Sequence, residues 1–496
     1  MDPGGSEGLY LGFDVGTQAT KGVVLDATTA RVIARGGSSY GLIPNLPRGA
    51  AEQDPQTWVR AVREVAAELL SASGVERARI RGLGVSGQQH GLVVLDVEDR
   101  IVRPAKLWCD TTTEDEAQEL CEDLRRAIPA GFTAPKTLWM KRHEPELWGR
   151  VHSVLLPHDY INFRLTGRKT MEAGDASGTG FFDPVTRAFD SKAIERIDSR
   201  LAEMLPPVLP PGSPAGVLSA QGADLLGLRE GMLVAAGGGD NMMSAIGSGA
   251  TSPGVVVVSL GTSGTAFAYS DRPVIDPEGL IAPFCDSTGG WLPLLCVMNM
   301  TGVTEEVQAA FESQGDNLET LTRAAARVPP GSDGLLFLPF LQGERVPNLP
   351  AATGILAGIR PGLLRRGHLF RAALEGTSLS IGLGMERMKK LGIVVESVRL
   401  VGGGSRNPLW RQILADVLEV PVVRLAEPES AALGAAIQAL WTVRRETGED
   451  VNADAVAARF VRTEGEPISP DPTRSQVYRD ARSRFHELTE RILPTS

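Results

Sequence analysis

The sequence LGFDVGTQATKGVVLD at residues 11–26 is similar to VVVSLGTSGTAFAYSD at residues 256–271. In both stretches an apolar strand leads into a Gly-Thr turn, and a second strand returns from it. A second pair follows in the same order, because RGLGVSGQ at residues 81–88 is similar to VRLVGGGS at residues 398–405. Chance similarity between glycine turns is the alternative. Agreement in both order and spacing favours a duplicated domain, whereas a solenoid would repeat every ~20–50 residues.

The pattern around these stretches predicts an α/β protein with two domains. Residues 247–254 (GSGATSPG) are small and flexible, and we expect them to form a hinge between a domain at 1–247 and a domain at 248–496. The proline-rich residues 205–217 predict a loop, and the weakly periodic chain after about Arg444 predicts loop and a peripheral helix. The remaining predicted elements are strands at 9–15, 21–25, 80–85, 92–95, 232–236, 255–260, 266–269 and 395–401, and helices at 55–74, 114–127, 242–246, 368–391 and from Asn407 onward.

Composition excludes several classes of function. The 496 residues carry 60 acidic and 50 basic side chains, a net charge of −10, which does not suit a nucleic-acid-binding protein. The 4 cysteines form no C-x-x-C pair, which is typical of a reducing compartment. The first residues lack the features of a signal peptide, and no apolar run approaches the ~18 residues of a membrane span. We therefore expect a soluble cytoplasmic enzyme without nucleic-acid or membrane partners; the sequence leaves open whether it forms a homodimer.

The glycine turns are candidates for binding phosphate, because a hairpin tip exposes backbone N–H groups and a hydroxyl. They are not Walker A loops, since the chain returns as a strand and not as a helix. Gly82, Gly84 and Gly87 match the G-x-G-x-x-G pattern of dinucleotide-binding proteins, but the following residues predict turn and strand. That pattern is meaningful only between a strand and a helix, so we reject a dinucleotide-dependent oxidoreductase.

Two aspartates stand beside glycine-rich turns. Asp14 ends the first strand, where its carboxylate could hold a hydrated Mg²⁺ or could instead bond the N–H groups of its own turn. Asp240 follows the glycines of AAGGGDN at the start of a predicted helix. It could act as a general base, but Asp is also a favoured N-cap residue, and the pattern by itself favours the cap.

A polar group lies between two predicted strands at Gln88, Gln89 and His90. Its hydrogen-bonding capacity suits sugar hydroxyls, although a solvated turn would have a similar composition. His90 has no histidine or cysteine at metal-ligand spacing, which excludes a metal site there. Trp108 and Asp110 follow another apolar strand and could add a wall and a hydrogen-bond acceptor, or belong to the core.

The order of several motifs resembles that of the FGGY carbohydrate kinases from about residue 9 to about residue 440. The matching segments are DVGTQATKGVVLD, GVSGQQHGLVVLD, LWCD, GFTAPKTLW, LLPHDYINFRLTG, AAGGGDN, SLGTSGTAFA, LPFLQGER and LVGGGSRNPLWRQILADV. GQQHG, GFTAPK and GGGDN together are typical of the members that phosphorylate D-xylulose. The resemblance implies two ribonuclease-H-like domains, as in actin and hexokinase, that flank a cleft and close on ATP and sugar.

The resemblance also implies transfer of the γ-phosphate of ATP to the 5-hydroxyl of D-xylulose, with Mg²⁺ as cofactor. Asp240 would be the proton acceptor, and Asp14 would lie at the Mg²⁺ site. A kinase for ribulose, ribitol or a related acceptor is the nearest alternative, and an ATP-gated filament or chaperone of the same fold is a more distant one. The other implied site residues are Gln89, His90, Asn241, Trp108 and Asp110 for the sugar, and Thr17, Gly261, Thr262, Ser263, Gly403, Gly404 and Asn407 for the nucleotide.

Overall fold

Each half of the chain builds its own seven-stranded sheet, counted over residues 7–311 and 315–492, which the computed structural model describes. The strands of the first half are β1 (Leu9–Val15), β2 (Ala19–Asp26), β3 (Arg31–Ser39), β4 (Glu52–Gln53), β5 (Ile80–Gly87), β6 (Val93–Leu95), β7 (Ala105–Lys106), β8 (Ser153–Leu155), β9 (Met171–Glu172), β10 (Phe182–Asp183), β11 (Ala188–Phe189), β12 (Val208–Leu209), β13 (Pro214–Val217), β14 (Leu233–Ala235) and β15 (Gly238–Gly239). Its helices are α1 (Pro55–Ser71), α2 (Glu114–Leu124), α3 (Thr133–His143), α4 (Pro145–Arg150), α5 (Pro157–Thr166), α6 (Ala173–Ala176), α7 (Ser191–Ile197), α8 (Leu201–Met204), α9 (Ala220–Leu226) and α10 (Asp240–Ser248).

The second half continues from the end of α10. Its strands are β16 (Gly254–Leu260), β17 (Gly264–Ala268), β18 (Ala282–Cys285), β19 (Trp291–Val297), β20 (Leu336–Leu338), β21 (Ile355–Ala357), β22 (Val395–Val401), β23 (Val422–Leu425) and β24 (Thr463–Ile468). Its helices are α11 (Thr301–Ala309), α12 (Leu318–Ala325), α13 (Arg366–Lys390), α14 (Pro408–Leu418), α15 (Ser430–Glu446), α16 (Ala453–Phe460) and α17 (Pro472–Ile492).

Strand order confirms the predicted duplication. The first sheet runs β13-β14-β5-β1-β2-β3, with β15 as a seventh strand that also pairs with β5, and the second runs β18-β19-β17-β16-β22-β23-β24. In each sheet the first hairpin is antiparallel, and its first strand pairs in parallel with a much later strand, β1 with β5 and β16 with β22. Both sheets contain the same five-strand core, β3-β2-β1-β5-β14 in the first and β19-β17-β16-β22-β23 in the second. In each core three antiparallel strands are followed by two strands that pair in parallel, which is the ribonuclease-H-like arrangement that the resemblance implied.

Side-chain alternation along β1 explains which residues face the space between the two sheets. Leu9, Leu11 and Phe13 pack with α1 and α5 on the outer face, whereas Tyr10 packs on the inner face with α10 and α15. Because successive side chains of a strand point to opposite faces, Asp14 shares the inner face with Tyr10. The helices α10 and α15 thus lie between the two sheets, and α13, α14 and α17 cover the far side of the second sheet.

Glycines allow the two central helices to cross closely. A Cβ atom at Gly434 of α15 would overlap the carbonyl oxygen of Met243 in α10, and a Cβ atom at Gly247 would overlap that of Ser430. Gly12 of β1 allows the same helix α15 to lie directly on the first sheet. Although α15 belongs to the second half in sequence, it therefore packs on the first sheet.

A second contact between the halves lies at one edge, and we call it the Arg187 clasp (Pro184, Arg187, Gly289, Gly290 and Trp291). Nη2 of Arg187 donates to the carbonyl oxygens of Gly289 at 2.7 Å and Gly290 at 2.6 Å. Its guanidinium carbon lies 4.6 Å from the centre of the Trp291 ring, and Nε1 of Trp291 donates to the oxygen of Pro184 at 2.9 Å. The clasp therefore adds to the contact at α10–α15, and further bonds between the halves, such as that from the N–H of Cys285 to Oγ of Ser177 at 3.0 Å, lie elsewhere.

Two segments that were predicted to be mainly loop, residues 205–217 and the chain after Arg444, contain more regular structure than expected. Residues 205–217 contain the short strands β12 and β13, and β13 pairs with β14 at the edge of the first sheet. The chain after Arg444 is more than a peripheral helix, since β24 joins the second sheet and α17 buries Tyr478 and Phe485 in the second core. The predicted helix at 114–127 ends at Leu124, where Arg125 takes the left-handed conformation.

Other predicted elements are confirmed within one to a few residues. Asp54 caps α1 by accepting from the N–H of Gln56. β5 ends at Gly87 and continues through a turn towards β6, so the strand–helix context of a dinucleotide fingerprint is absent there. Among the described helices, none combines the length and apolar character needed to cross a bilayer.

Candidate active site

Asp240 is the first residue of α10, between the two sheets. Gly239 holds the N-cap position, so the interpretation of Asp240 as the cap residue is wrong. Oδ1 of Asp240 accepts from the N–H of Asn241 at 2.8 Å and from its Nδ2 at 3.1 Å. Burial raises the pKa of Asp240 to about 8, with smaller contributions from the negative charges of Asp14 and Asp175. A carboxylate in this state holds a proton readily at neutral pH.

Asp14 lies at the inner end of β1, where its charge acts on Asp240. Oδ1 of Asp14 accepts from Oγ of Ser86 at 2.7 Å, and Ser86 is its direct neighbour in β5. The bond to a neighbouring strand replaces the bond to its own turn that was the alternative. Burial raises the pKa of Asp14, and the charge of Glu429 adds to that effect. Two carboxylates thus share one part-buried region.

Asn241 connects the two halves beside these carboxylates. Its Nδ2 donates to Oε1 of Gln89 at 2.9 Å, and its Oδ1 accepts from Oγ1 of Thr265 at 3.3 Å. Gln89 belongs to the predicted sugar side, and Thr265 lies on β17, just after the tip of the second hairpin. The structure therefore brings Asp240, the sugar-side glutamine and the second hairpin together around one side chain.

Two buried polar atoms of the predicted sugar site have no hydrogen-bond partner among the described residues. They are Nε2 of Gln89 and Nδ1 of His90. Buried polar atoms are normally paired, so unpaired ones at a candidate site point to a polar ligand. The ring of His90 lies 4.8 Å from that of Phe132 and 5.7 Å from that of Phe284, measured between centroids. Burial and the charges of Lys136 and Arg345 hold the pKa of His90 well below its usual range, so the imidazole is neutral.

Trp108 and Asp110 differ in their surroundings. Nε1 of Trp108 donates to Oγ1 of Thr17 at 3.0 Å, and that hydroxyl donates to Oε1 of Gln88 at 2.9 Å, so Trp108 joins the sugar side to the first turn. Asp110 is fully buried, and its carboxylate accepts from Nζ of Lys106, from the N–H of Ala51, and from the N–H and hydroxyl of Thr112. The carboxylate of Asp110 is therefore occupied by these neighbours and is not part of the group formed by Asp14 and Asp240.

The two hairpin tips share one hydrogen-bonding pattern. In the first, the carbonyl oxygens of Gly16 and Thr17 accept from Tyr40 and Gln53. In the second, those of Gly261 and Thr262 accept from N–H groups at the start of α11. Over the described chain, no protein acceptor engages the N–H groups at residues 17–18 or 261–263. Both tips are thus held by their carbonyl groups, and their N–H groups remain for an anion. Ser263 lies within the second of these tips.

The glycines after β22 have separate roles. A Cβ atom at Gly403 would meet nothing within 4 Å, so its backbone is open to a ligand. One at Gly404 would lie 2.8 Å from the Trp410 ring, so Gly404 permits close packing. Asn407 caps α14 by accepting from two N–H groups, and its Nδ2 donates to Oγ1 of Thr322 at 3.0 Å. Asn407 therefore shapes this segment through its own hydrogen bonds.

The carboxylates fit a hydrated Mg²⁺. The negative charge of Asp14 contributes to the raised pKa of Asp240, and a nearby cation would offset that repulsion. Mg²⁺ retains several waters and needs only one or two carboxylates. Over the described residues, no group of three or more histidine, cysteine or acidic side chains is placed to hold a metal ion.

Sequence reasoning missed several residues that support the site. Ser86 faces Asp14 across two strands, and Thr265 reaches Asn241 from the second half. Nδ1 of the buried His158 lies 2.7 Å from Oδ2 of Asp175, and the negative charge of Asp175 helps to raise the pKa of Asp240. The repeat could have indicated Ser86, because β1 and β5 were predicted and the two residues are in register. The contacts of Thr265 with Asn241 and of His158 with Asp175 join elements whose relative positions cannot be predicted from the sequence pattern.

Comparisons with known proteins agree with this geometry. Residues 9–247 match the profile described as the FGGY family of carbohydrate kinases, N-terminal domain, and residues 256–443 match that of its C-terminal domain. A xylulose kinase of Haemophilus influenzae is 38% identical over 87% of this chain and 90% of its own length. One of Streptomyces coelicolor is 40% identical over 91% of this chain and 90% of its own. The crystal structure of a "xyloylose kinase" from Brucella ovis superposes with a TM-score of 0.89 at 31% identity, covering 98% of this chain and 99% of that one.

Proposed function

Because this chain belongs to the FGGY family of carbohydrate kinases, we propose that it transfers the γ-phosphate of ATP to the 5-hydroxyl of D-xylulose. The names of its relatives in Haemophilus and Streptomyces support this choice of sugar. Phosphoryl transfer requires a protein mainly to position the reactants and to stabilise the charge of the phosphate. The described site contains groups suited to each task.

The observation that carries the proposal is the junction at Asn241. This one side chain contacts Asp240, Gln89 of the sugar side and Thr265 of the second hairpin. A sugar hydroxyl beside Asp240 would therefore lie between the sugar-binding and phosphate-binding elements. The unpartnered Nε2 of Gln89 and Nδ1 of His90 offer hydrogen bonds to other hydroxyls of the same molecule.

Asp240 is the proposed general base. In the free protein its pKa of about 8 makes it a strong proton acceptor that is only partly ionised at neutral pH. General-base assistance contributes about 10²–10⁴-fold to rate, and it is most effective when the pKa lies near the working pH. Mg²⁺ bound through water at Asp14 would supply positive charge to the phosphate oxygens. The N–H groups of both tips would bind the same oxygens from opposite sides.

The test is an assay of ADP release with D-xylulose, D-ribulose, ribitol and glycerol, each with ATP and Mg²⁺. We expect the kcat/KM for D-xylulose to exceed the others by at least ~10-fold, a difference that one lost sugar hydrogen bond can produce. Phosphorus NMR of the product should show a phosphate ester on the 5-oxygen. A preference for D-ribulose, or no ATP-dependent turnover of D-xylulose, would overturn the proposed substrate.

A further inference from the structure

His90 has an unusual backbone for a residue with a side chain. Its φ is +66°, in the left-handed region that β-carbon-bearing residues seldom adopt. Such conformations persist where surrounding contacts enforce them, and they cluster at ligand-binding sites. The contacts around His90 therefore show what holds it in place.

Lys136 provides the main contact with the His90 backbone. Its Nζ donates to the carbonyl oxygen of His90 at 2.9 Å and to that of Gly131 at 2.6 Å. The hydroxyl of Thr133 donates to the same His90 oxygen at 3.2 Å. Gly131 precedes Phe132, whose ring packs on His90. One ammonium group thus fixes both the His90 peptide and the turn that carries its aromatic neighbour.

The burial of the Lys136 amine costs free energy, which its hydrogen bonds to the backbone offset. Its side chain is fully buried, and burial lowers its pKa to about 7, opposed in part by the negative charge of Asp110. Its hydrogen bonds go to two carbonyl groups and not to a carboxylate. Burying an amine is costly unless it is hydrogen-bonded. Because both acceptors of Lys136 are carbonyl oxygens, its hydrogen bonds hold these backbone groups in place.

The ring of His90 is confined on its other sides as well. A Cβ atom at Gly178 would overlap the imidazole, and the Phe284 ring closes the side towards the second half. Rotation of the His90 peptide would therefore drive the imidazole into its neighbours or move the unpaired Nδ1. The position of that nitrogen depends on the carbonyl that Lys136 holds.

We propose that Lys136 is a positioning residue that orients His90 towards the sugar by holding its carbonyl group in the left-handed conformation. The inference rests on the proposed function, because it assumes that His90 contacts the sugar. Removing Lys136 should weaken sugar binding and leave nucleotide binding unchanged, since its contacts lie entirely on the sugar side.

The experiment is a double-mutant cycle with Lys136→Met, His90→Ala and the combined variant. We expect Lys136→Met to raise the KM for D-xylulose by about 10-fold or more, as for loss of a charge-assisted hydrogen bond, with the KM for ATP within about twofold. If Lys136 acts through His90, the combined variant should match His90→Ala within about twofold. The inference would be overturned if the KM for D-xylulose in the combined variant rose by the product of the two single effects, or if Lys136→Met left that KM unchanged.

Lys141→Met is the matched control. Lys141 lies on the same helix α3 and donates to the carbonyl oxygen of Ile197 at 2.6 Å, outside the site. We expect its sugar KM to stay within about twofold of wild type, since surface changes away from such features have small effects. A sugar KM that rises equally in Lys141→Met would mean that damage to α3, and not the His90 contact, causes the effect.

A second variant covers the case in which Lys136→Met does not fold. Thr133→Val removes only the other donor to His90 and keeps the buried charge, so it should raise the sugar KM by about two- to fivefold, again without adding to His90→Ala. An equal change in the KM for ATP would contradict the inference. If wild-type protein does not phosphorylate D-xylulose, the proposed function fails, and the cycle is run on the sugar that it does accept. If the wild type is active and the cycle is additive, only the role of Lys136 fails.

Discussion

Replacing Asp240 by Asn should abolish most activity and at the same time stabilise the protein. Asn has the same shape, and its oxygen can still accept from the N–H and Nδ2 of Asn241. It cannot accept a proton from the sugar hydroxyl, so kcat should fall by at least ~10²-fold while ATP binding persists. The predicted gain in stability comes from the burial of Asp240 and the negative charges around it.

The size of the stability gain follows from the pKa of Asp240, which rises from 3.8 to about 8 on folding. An acid with a raised folded pKa contributes its full stability below pH 3.8 and loses it as the pH rises towards 8. The free-energy cost in the wild type would be about 3 kcal/mol at pH 6 and about 5 kcal/mol at pH 8 as upper limits. Because the carboxylate is partly exposed, we expect about 1–3 kcal/mol, increasing with pH.

Urea unfolding of both proteins at pH 6, 7 and 8 measures this difference in the free energy of unfolding. Asp198→Asn is the control of opposite sign. Burial of Asp198 is outweighed by hydrogen bonds from Arg200 and Trp148, which hold its pKa below the usual range. Its replacement should therefore cost stability at neutral pH. A loss of stability in Asp240→Asn, a gain that shrinks as the pH rises, or near-wild-type turnover would refute the reasoning.

Three further predictions concern the same geometry. The kcat/KM for the sugar should rise with pH until about pH 8 in the wild type, because the base must be ionised in the free enzyme, and a profile already flat from pH 6 would argue against Asp240. Gly434→Ala should lower the melting temperature, since its Cβ would overlap Met243, and an unchanged melting temperature would contradict the close crossing. Gly403→Ala should fold normally and raise the KM for ATP if that backbone faces the nucleotide, and an unchanged KM would contradict that placement. Arg187→Ala should weaken the clasp between the halves, giving a larger radius of gyration by X-ray scattering without ligands, and an unchanged radius would show that the clasp does not set their separation.

The sequence was sufficient for the elements that obey local rules. The hairpins, their Gly-Thr tips and the later strands at 80–85 and 395–401 follow from apolar runs and glycine turns, and the duplication predicted their equivalence. Alternation along β1 even places Asp14 on the inner face once the strand is assigned. These predictions succeeded because each depends on neighbours within a few residues.

Contacts between distant segments could not be predicted in this way. Lys136 and His90 are separated by 46 residues, and Arg187 and Gly289 by 102. The contribution of α17 to the second core was missed because its few buried side chains, such as Tyr478, are spread over a helix rich in charge. For Asp110, the motif indicated a residue near the sugar side, but only the structure shows that Lys106 and Thr112 engage its carboxylate.

The close crossing of α10 and α15 also links the proposed base, Asp240, to the second hairpin tip, which we propose binds phosphate. Asp240 begins α10, the chain leaves that helix to enter β16, and Thr262 lies in the tip that follows this strand. The proposed base and the tip are therefore connected by one helix, one short connection and one strand, and the helix packs closely against α15 through Gly247 and Gly434. Rotation of the halves about this crossing would move the outer parts of the cleft, including the Arg187 clasp, more than it moves Asp240 relative to Thr262. We propose that closure of the halves about this crossing excludes water from the phosphate while Asp240 and Thr262 keep their spacing.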